Sequence, residues 1–490
     1  MRSSMPGSSF GLADGGKNDM PKKVQATPKT DNHVLIRRCE NYNPDTIRKI
    51  IEEGMRDLGY RPTGSVFVKP NVVFATKNGK YGSTAYTDPA VVNAALTALA
   101  NAPGVSRVNL GEKTAIGYPT RLIFRYAGYY DTVRAARKKA RAKLDIFCID
   151  EERRDRIFVG GKVHDTLRIA RRMARADSLV YLPKLKCHCV SSMTGAIKLN
   201  IGICSDDERA IRHDFLLDDK IVDLLAAGYP DFTVMDAIDV GVGTEASPTP
   251  RRLGLIIMGR NPLAVDLVGA RLLGFDLEDV PYLKKAVERG HLPARLKDVK
   301  LMGDLTSIAA LDSQAKRIQP YDDEYYRWHE VEKELKRLNS PLRFYWGHSS
   351  SEGTRCATGC IMGLKMYFAF TERFAGAEAF ARGKPAVLII GRVEGEIDAR
   401  GQDVFMLGSC SRASIVNARK ITKIDSCTTT AVEMTEVIRG RLGIPTPLYA
   451  PSQILPLIGA LITASFKKMI NLRYLQDIGH FIKRGLVKRI

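Results

Sequence analysis

The 490-residue sequence has no Rossmann glycine fingerprint and no P-loop, which leaves a nicotinamide or nucleotide-hydrolysing mechanism without support. It also lacks zinc-finger spacing and any aromatic-studded RNA-binding signature, so nucleic acid is not favoured as a partner. Acidic residues are few: 54 Asp and Glu stand against 75 Lys and Arg, giving a net charge of +21 and a pI near 9.5. That excess favours anionic partners such as phosphorylated metabolites, acidic electron carriers or anionic lipid. The first residues (MRSSMPGSSFGLADGGKNDMPKK) have no apolar core and do not form a secretory signal. Residues 1–31 are expected to be a disordered leader. Nine cysteines in a chain this long do not make a secreted disulfide framework. The expected compartment is a reducing one, the cytoplasm, where clustered cysteines mean metal or catalysis more often than cross-links.

What is present is an alternation. Short β-branched runs (Val34–Ile36, Ser65–Val68, Arg107–Leu110, Ser178–Tyr181, Phe232–Asp236, Leu253–Met258) are separated by helical patterns. Asn43-Pro44, Asp88-Pro89 and Asn261-Pro262 each read as an N-cap followed by a first helical proline. The fold class predicted is α/β: a mostly parallel, helix-covered sheet over 32–339, then a smaller α/β cysteine-bearing domain over 340–450. The stretch 319–338 reads as a charged, exposed linking helix. Residues 451–490 read as a basic amphipathic tail. No internal repeat is evident.

Four strand ends carry polar pairs: Lys69 with Asn71, Glu112 with Lys113, Lys184 with Lys186, and Asp236 with Asp239. Ligands of open parallel sheets bind outside the carboxyl ends of strands, so these ends predict one polar site. Lys69, Lys184 and Lys186 would bind a small anionic substrate, and His188 and Glu112 would move protons. The stretch PKLKCHCVSSMTGAIKLNIGI, 183–203, adds Thr194 and Lys198, and its turn at 191–195 offers free N–H groups to an anion. Within it Cys187, His188 and Cys189 alternate on an extended strand, so they are poor joint ligands. Asp266, on a helix among small residues, is expected to anchor a buried network more than to touch a ligand.

Cys356, Cys360, Cys410 and Cys427 all sit in loops rich in small residues. Four thiolates hold an iron–sulfur cluster, here of the [4Fe-4S] kind; zinc is the rival, and four unrelated buried thiols remain open. The tail pairs a thirteen-residue apolar run, Ile454–Phe466, with seven basic residues against Asp477, a balance of +6. The run is too short to span a bilayer. It either docks into the core or lies on an anionic membrane surface.

The motifs KPN (69–71), DPAVV (88–92), PKLKCHCVSSMTGAIKLNIG (183–202) and GRNPLAVDLVGARLLGFDLEDVPYL (259–283) together resemble the domain-of-unknown-function 362 family. The sequence departs from that pattern at Leu199, which stands where the family has an asparagine; its own Asn200 comes one residue later. The resemblance implies association with an iron–sulfur cluster and leaves the reaction unassigned. The body is also distantly similar to the N-terminal domain of lactate racemase-like proteins. These expectations describe an iron–sulfur oxidoreductase or electron-transfer protein, with an acidic electron carrier as partner. The alternative is a binding or regulatory module with a structural four-cysteine site and no turnover.

Overall fold

The computed structural model describes residues 22–23, 31–77, 82–213, 215–318, 328, 330–349, 355–356, 359–427, 429, 431–445 and 451–476. Most of the expected leader and the tail beyond 476 lie outside these residues. Lys22–Lys23 correct the leader expectation in part, because they pair with Ile157 and Phe158 in a small three-stranded sheet.

The large sheet contains β1 (His33–Arg38), β2 (Gly64–Pro70), β3 (Val105–Glu112), β4 (Lys143–Cys148) and β5 (Ser178–Leu182). It continues with β6 (Lys184–His188), β7 (Phe232–Val242), β8 (Thr249–Gly259) and β9 (Lys300–Gly303). Their order is β9-β1-β8-β7-β5-β2-β3-β4, with β6 also paired to β7 and Ser192–Thr194 paired to β6. Along that order only β8 runs against its neighbours, having returned from β7 by a hairpin. The sheet is therefore mostly parallel, as the strand–helix alternation predicts.

Helices cover it on both faces, which is why its strands read as nearly unbroken apolar runs. Val66 and Val68 enter one core and Phe67 another, while Leu35 and its neighbours Val34 and Ile36 divide in the same way. On one face lie α1 (Pro44–Asp57) and α2 (Pro89–Asn101); on the other lies α3 (Pro262–Leu272). Each begins as the sequence indicates. Asn43 Oδ1 accepts from Asp45 N and Thr46 N (both 3.0 Å), Asp88 Oδ1 from Ala90 N (2.8 Å), and Asn261 Oδ1 from Leu263 N (3.0 Å).

The C-terminal unit is a four-stranded parallel sheet of β10 (Leu342–Trp346), β11 (Ala386–Asp398), β12 (Asp403–Val416) and β13 (Lys420–Ile424), in that order. The helix α4 (Cys360–Ala375) lies on the crossover from β10 to β11. The expected exposed linker is not one where it is described. Val331, Leu335 and Leu338 join Trp328 in the core of this unit, because the segment is amphipathic and not merely charged.

The β11–β12 connection has a consequence for the sequence pattern. Thirteen extended residues would span about 43 Å, and the short link Ala399–Gln402 cannot return that far. The strand must fold back on itself, and it does so at Gly391, whose φ is +78°. Ala386–Ile390 pairs with Asp403–Leu407, and the returning arm Glu396–Asp398 pairs with Ser414–Val416. Ala386, Asp403 and Lys420 share one register position, 17 residues apart at each step. The chain thus winds in 17-residue coils, correcting the expectation of no internal repeat. Gly391 and Gly408 (φ +105°) occupy the same corner of successive coils.

A Cβ at Gly391 would approach Gly347 O to 2.6 Å in addition to the left-handed backbone strain. Gly391→Ala is expected to lower stability by roughly 2–4 kcal/mol in denaturant titration. Gly395→Ala has the same sign of φ but no neighbour within 4 Å, and should cost about 1–2 kcal/mol.

Candidate functional site

The carboxyl ends of β2, β3 and β6, together with α4, enclose a cavity of about 200 Å³. It is lined on the large-sheet side by Lys69, Asn71, Glu112, Lys113, His188, Thr194 and Lys198. Met362, Gly363, Met366 and Tyr367 of α4 and Thr429 line it from the C-terminal unit. Six of the residues predicted for the site (Lys69, Asn71, Glu112, His188, Thr194, Lys198) are brought together here.

Their states differ. Lys69 Nζ lies 2.5 Å from Glu112 Oε2, and both side chains are fully buried. Burial pulls the lysine down and pushes the carboxyl up, against the attraction of each for the other. Lys69 is therefore satisfied by Glu112 and is not a free cation for a ligand. Glu112 Oε1 also accepts from Lys113 N at 2.7 Å. Arg209 is spent on backbone, donating to Thr114 O (2.7 Å), Lys113 O (3.0 Å) and Ile201 O (3.2 Å).

Lys198 is different. Among the described residues no hydrogen bond or ion pair holds its ammonium, and burial brings it down to about 8, with Glu245 opposing that shift. Two further lining atoms, Asn71 Oδ1 and Thr194 Oγ1, are buried without a hydrogen-bond partner. A free cation, a hydroxyl and an amide oxygen thus share one cavity.

His188 ends β6. Its Nδ1 accepts from Val190 N (3.2 Å) and Ser191 N (3.4 Å), and burial depresses its pKa to about 3. Those bonds assign the proton of the neutral ring to Nε2, which lies 3.7 Å from Glu245 Oε1. His188, Cys189 and Glu245 each bring a donor atom to within 4.8 Å of the others, so by proximity they could hold a metal ion. This corrects the alternation argument: β6 stops at His188, and the turn after it swings Cys189 round to the same point. A metal-bound histidine normally donates from its second nitrogen. Here that nitrogen accepts, so the ring is set to donate Nε2–H.

Lys184, Lys186 and Asp236 do not line the cavity. Lys184 Nζ bonds Asp236 Oδ2 (2.9 Å) and Tyr42 OH (2.8 Å), and Lys186 Nζ bonds Ala85 O (2.7 Å) and Glu245 O (2.9 Å). Strand alternation puts both lysines on the face of His188, but Tyr42 and Asp236 take up Lys184, and the loops carrying Ala85 and Glu245 close over Lys186. The anion site expected at 191–195 is also filled from within. Asp266 Oδ1 and Oδ2 accept from Ala196 N (2.6 Å) and Ile197 N (3.0 Å), which gives Asp266 the structural role expected of it. A Cβ at Gly195 would meet that carboxylate at 2.3 Å, and one at Gly202 would meet Glu112 Oε1 at 2.1 Å. Both glycines of TGAIKLNIG are thus fixed by buried carboxylates.

The four predicted cysteines lie in the C-terminal unit. Cys410 and Cys427 each follow by three residues the register pair Leu407 and Ile424, so they occupy equivalent corners of successive coils. Ser409 N donates to Ser426 O beside them (3.1 Å). Cys360 is the first residue of α4; its Sγ accepts from Thr429 N (3.4 Å) and Thr429 Oγ1 (3.0 Å). A Cβ at Gly408 would lie 2.9 Å from that sulfur. Burial raises the Cys360 thiol, Thr429 draws it down, and Cys410 and Cys356 are near enough to raise it further. Cys427 is exposed, and Cys356 and Cys410 are half-buried.

Residues 66–271 match the model of a family described as Domain of unknown function (DUF362). The resemblance read from the motifs holds over that stretch. The Thylakoid-associated protein sll1697 of Synechocystis is 25% identical over 260 residues, 51% of this chain and 76% of its own. The lactate racemase apoprotein of Thermoanaerobacterium thermosaccharolyticum matches at TM-score 0.30 and 14% identity, over 49% of this chain and 56% of that one. Every cavity residue named above from β2, β3 and the 183–203 segment falls inside the DUF362 match, whereas α4, Thr429 and the four cysteines lie beyond it.

The Lys69–Glu112 pair yields a stability test. Lys69→Met alone strands a buried carboxylate and should cost about 3–5 kcal/mol in chemical denaturation, whereas Lys69→Met with Glu112→Leu should recover most of that loss.

Proposed function

We propose that this protein is an iron–sulfur redox protein that binds a small anionic substrate in the cavity between its two units. The observation that carries the reading is Thr429, which lines the cavity while donating from its N–H and its hydroxyl to Cys360 Sγ. Donors to a cysteine sulfur tune a thiolate cluster's potential. Cys410 and Cys427 at equivalent coil corners, with Cys360 against Gly408 and Cys356 near Cys360, would suit a [4Fe-4S] cluster held by all four. A structural four-thiolate zinc site is closed and gains nothing from an adjoining cavity. When bound, such a cluster supplies one-electron transfer.

The chain's own residues do the rest. Lys198 and Thr194 donate to the anionic group, and Asn71 Oδ1 accepts from a hydroxyl or N–H on the same molecule. His188, neutral and with Nδ1 held by two backbone N–H groups, presents Nε2–H as a fixed hydrogen-bond donor to the bound molecule. Val72, Met362 and Met366 narrow the cavity and exclude water. The exposed Cys427 leaves the opposite side open to an electron carrier, which the net charge of +21 expects to be acidic. No helix among the described residues is long and apolar enough to cross a membrane. The thylakoid association in the cyanobacterial relative's name supports a place at a membrane surface.

Anaerobic purification with iron, sulfide and zinc assays tests the reading. Iron and sulfide near four per chain are expected, and Cys410→Ser or Cys427→Ser should lose them; zinc without iron would overturn the cluster. Thr429→Val should keep the iron but shift the reduction potential to a more negative value in a redox titration, because it removes a donor to sulfur.

Substrate binding has its own pH signature. The Lys198 charge is present below about 8 and lost above it. Affinity for small hydroxycarboxylates, measured by calorimetry, should therefore fall between pH 7 and 9. Lys198→Met should weaken it about tenfold at pH 7 and flatten the profile.

A further inference from the structure

The helix α5 (Pro451–Ile470) is mounted with its large residues facing outward. Among its described side chains Ala460 and Ala464, one turn apart, are the buried ones, and it packs against the helix Thr120–Tyr126. Its far end is pinned to the large-sheet unit: Asn471 Nδ2 donates to Glu151 O (2.8 Å), and Gln476 exchanges hydrogen bonds with the backbone of Arg154 (both 3.1 Å). Against this narrow seat of alanines, Leu455, Ile458, Leu461, Ile462, Phe466 and Met469 are exposed, Leu455 by 80% and Ile462 by 66%. A monomer in water gains nothing from such an arrangement.

The shape and charge of the face say what covers it. At 100° per residue those six side chains fill an arc of about 140°, wider than the two-position seam of a coiled coil. Lys468 falls beside one edge of the arc and Lys467 about 100° beyond the other, and the sequence beyond Gln476 adds Lys483, Arg484, Lys488 and Arg489 against one Asp477. A broad apolar face with a cation at one edge and a basic sequence following it matches a surface of apolar acyl chains beneath anionic headgroups. We infer that α5 seats the protein on an anionic lipid bilayer, with the helix lying in the interface and the large-sheet unit held against it through Asn471 and Gln476. The inference does not depend on the four-cysteine reading, since it uses none of those residues.

Co-sedimentation of the full chain with vesicles tests it. Wild type should bind vesicles containing phosphatidylglycerol, at least tenfold more weakly when these are pure phosphatidylcholine or when salt is raised to 0.5 M. Leu455→Glu with Ile462→Glu should reduce binding at least tenfold while leaving the unfolding midpoint unchanged, because both side chains already face solvent. Lys467→Glu with Lys468→Glu should weaken binding and reduce its salt dependence. Wild type remaining in the supernatant with phosphatidylglycerol vesicles would overturn the inference, as would undiminished binding by the Leu455/Ile462 variant. A wild-type dimer that this same variant converts to a monomer, by light scattering, would also overturn it and assign the face to a second copy of the chain.

Discussion

A lysine and a glutamate sealed from water, Lys69 against Glu112, set the geometry on which the cavity depends. Neither charge is tolerable there alone, so β2 and β3 must deliver both ends together. The pair fills the space beside residue 202, which only a glycine can occupy, and so fixes how closely the 198–203 turn approaches the sheet. That approach carries Lys198 into the cavity. The cation that is free to meet a ligand is thus positioned by one that is not. Asp266 does the same work from the other side: by occupying the N–H groups of Ala196 and Ile197, it fixes the start of the turn and leaves Thr194 at the cavity wall.

This division of labour explains what the sequence disclosed and what it hid. Alternation of strands and capped helices was legible because caps and β-branched runs are local. The polar strand ends were legible as a group, and Lys69, Asn71, Glu112 and His188 do meet. Nothing local distinguishes Lys198 from Lys184 or Lys186, however. Which lysine stays free is decided by residues distant in sequence: Tyr42 and Asp236 take up Lys184, and the loops carrying Ala85 and Glu245 close over Lys186. Glu245 and Arg209 were missed for that reason, and so was Thr429. Each reaches the cavity from a loop or short helix with no motif of its own. The only sequence signal for Thr429 is its place two residues after Cys427.

The coil was hidden by degeneracy. VLIIG, VFMLG and ITKID occupy the same positions of successive 17-residue turns, yet they share little beyond apolar character and a corner residue. What the corner demands is a left-handed or small residue, met by Gly391 and Gly408. The spacing of Cys410 and Cys427 follows from the same period: two thiols 17 residues apart stand one strand spacing apart in space. A separation that looks arbitrary in sequence is thus a fixed short distance in the fold.

The two units meet through α4, and this has an electrostatic consequence under the proposed reading. Its first residue, Cys360, belongs to the cysteine corner, while Met362, Gly363 and Met366, within two turns, face the cavity. Thr429 completes the wall from the same corner. An electron added at the cysteines is negative charge added next to the site where Lys198 and Thr194 would hold an anion. Coulomb repulsion across so short and water-poor a gap is weakly screened. Reduction must then lower affinity for the anion, and by linkage the bound anion must make reduction harder by the same factor. A substrate that accepts an electron and leaves as a different anion would feel this coupling as a push towards release. Lys198 limits the push, since its positive charge offsets part of that repulsion only while it remains protonated.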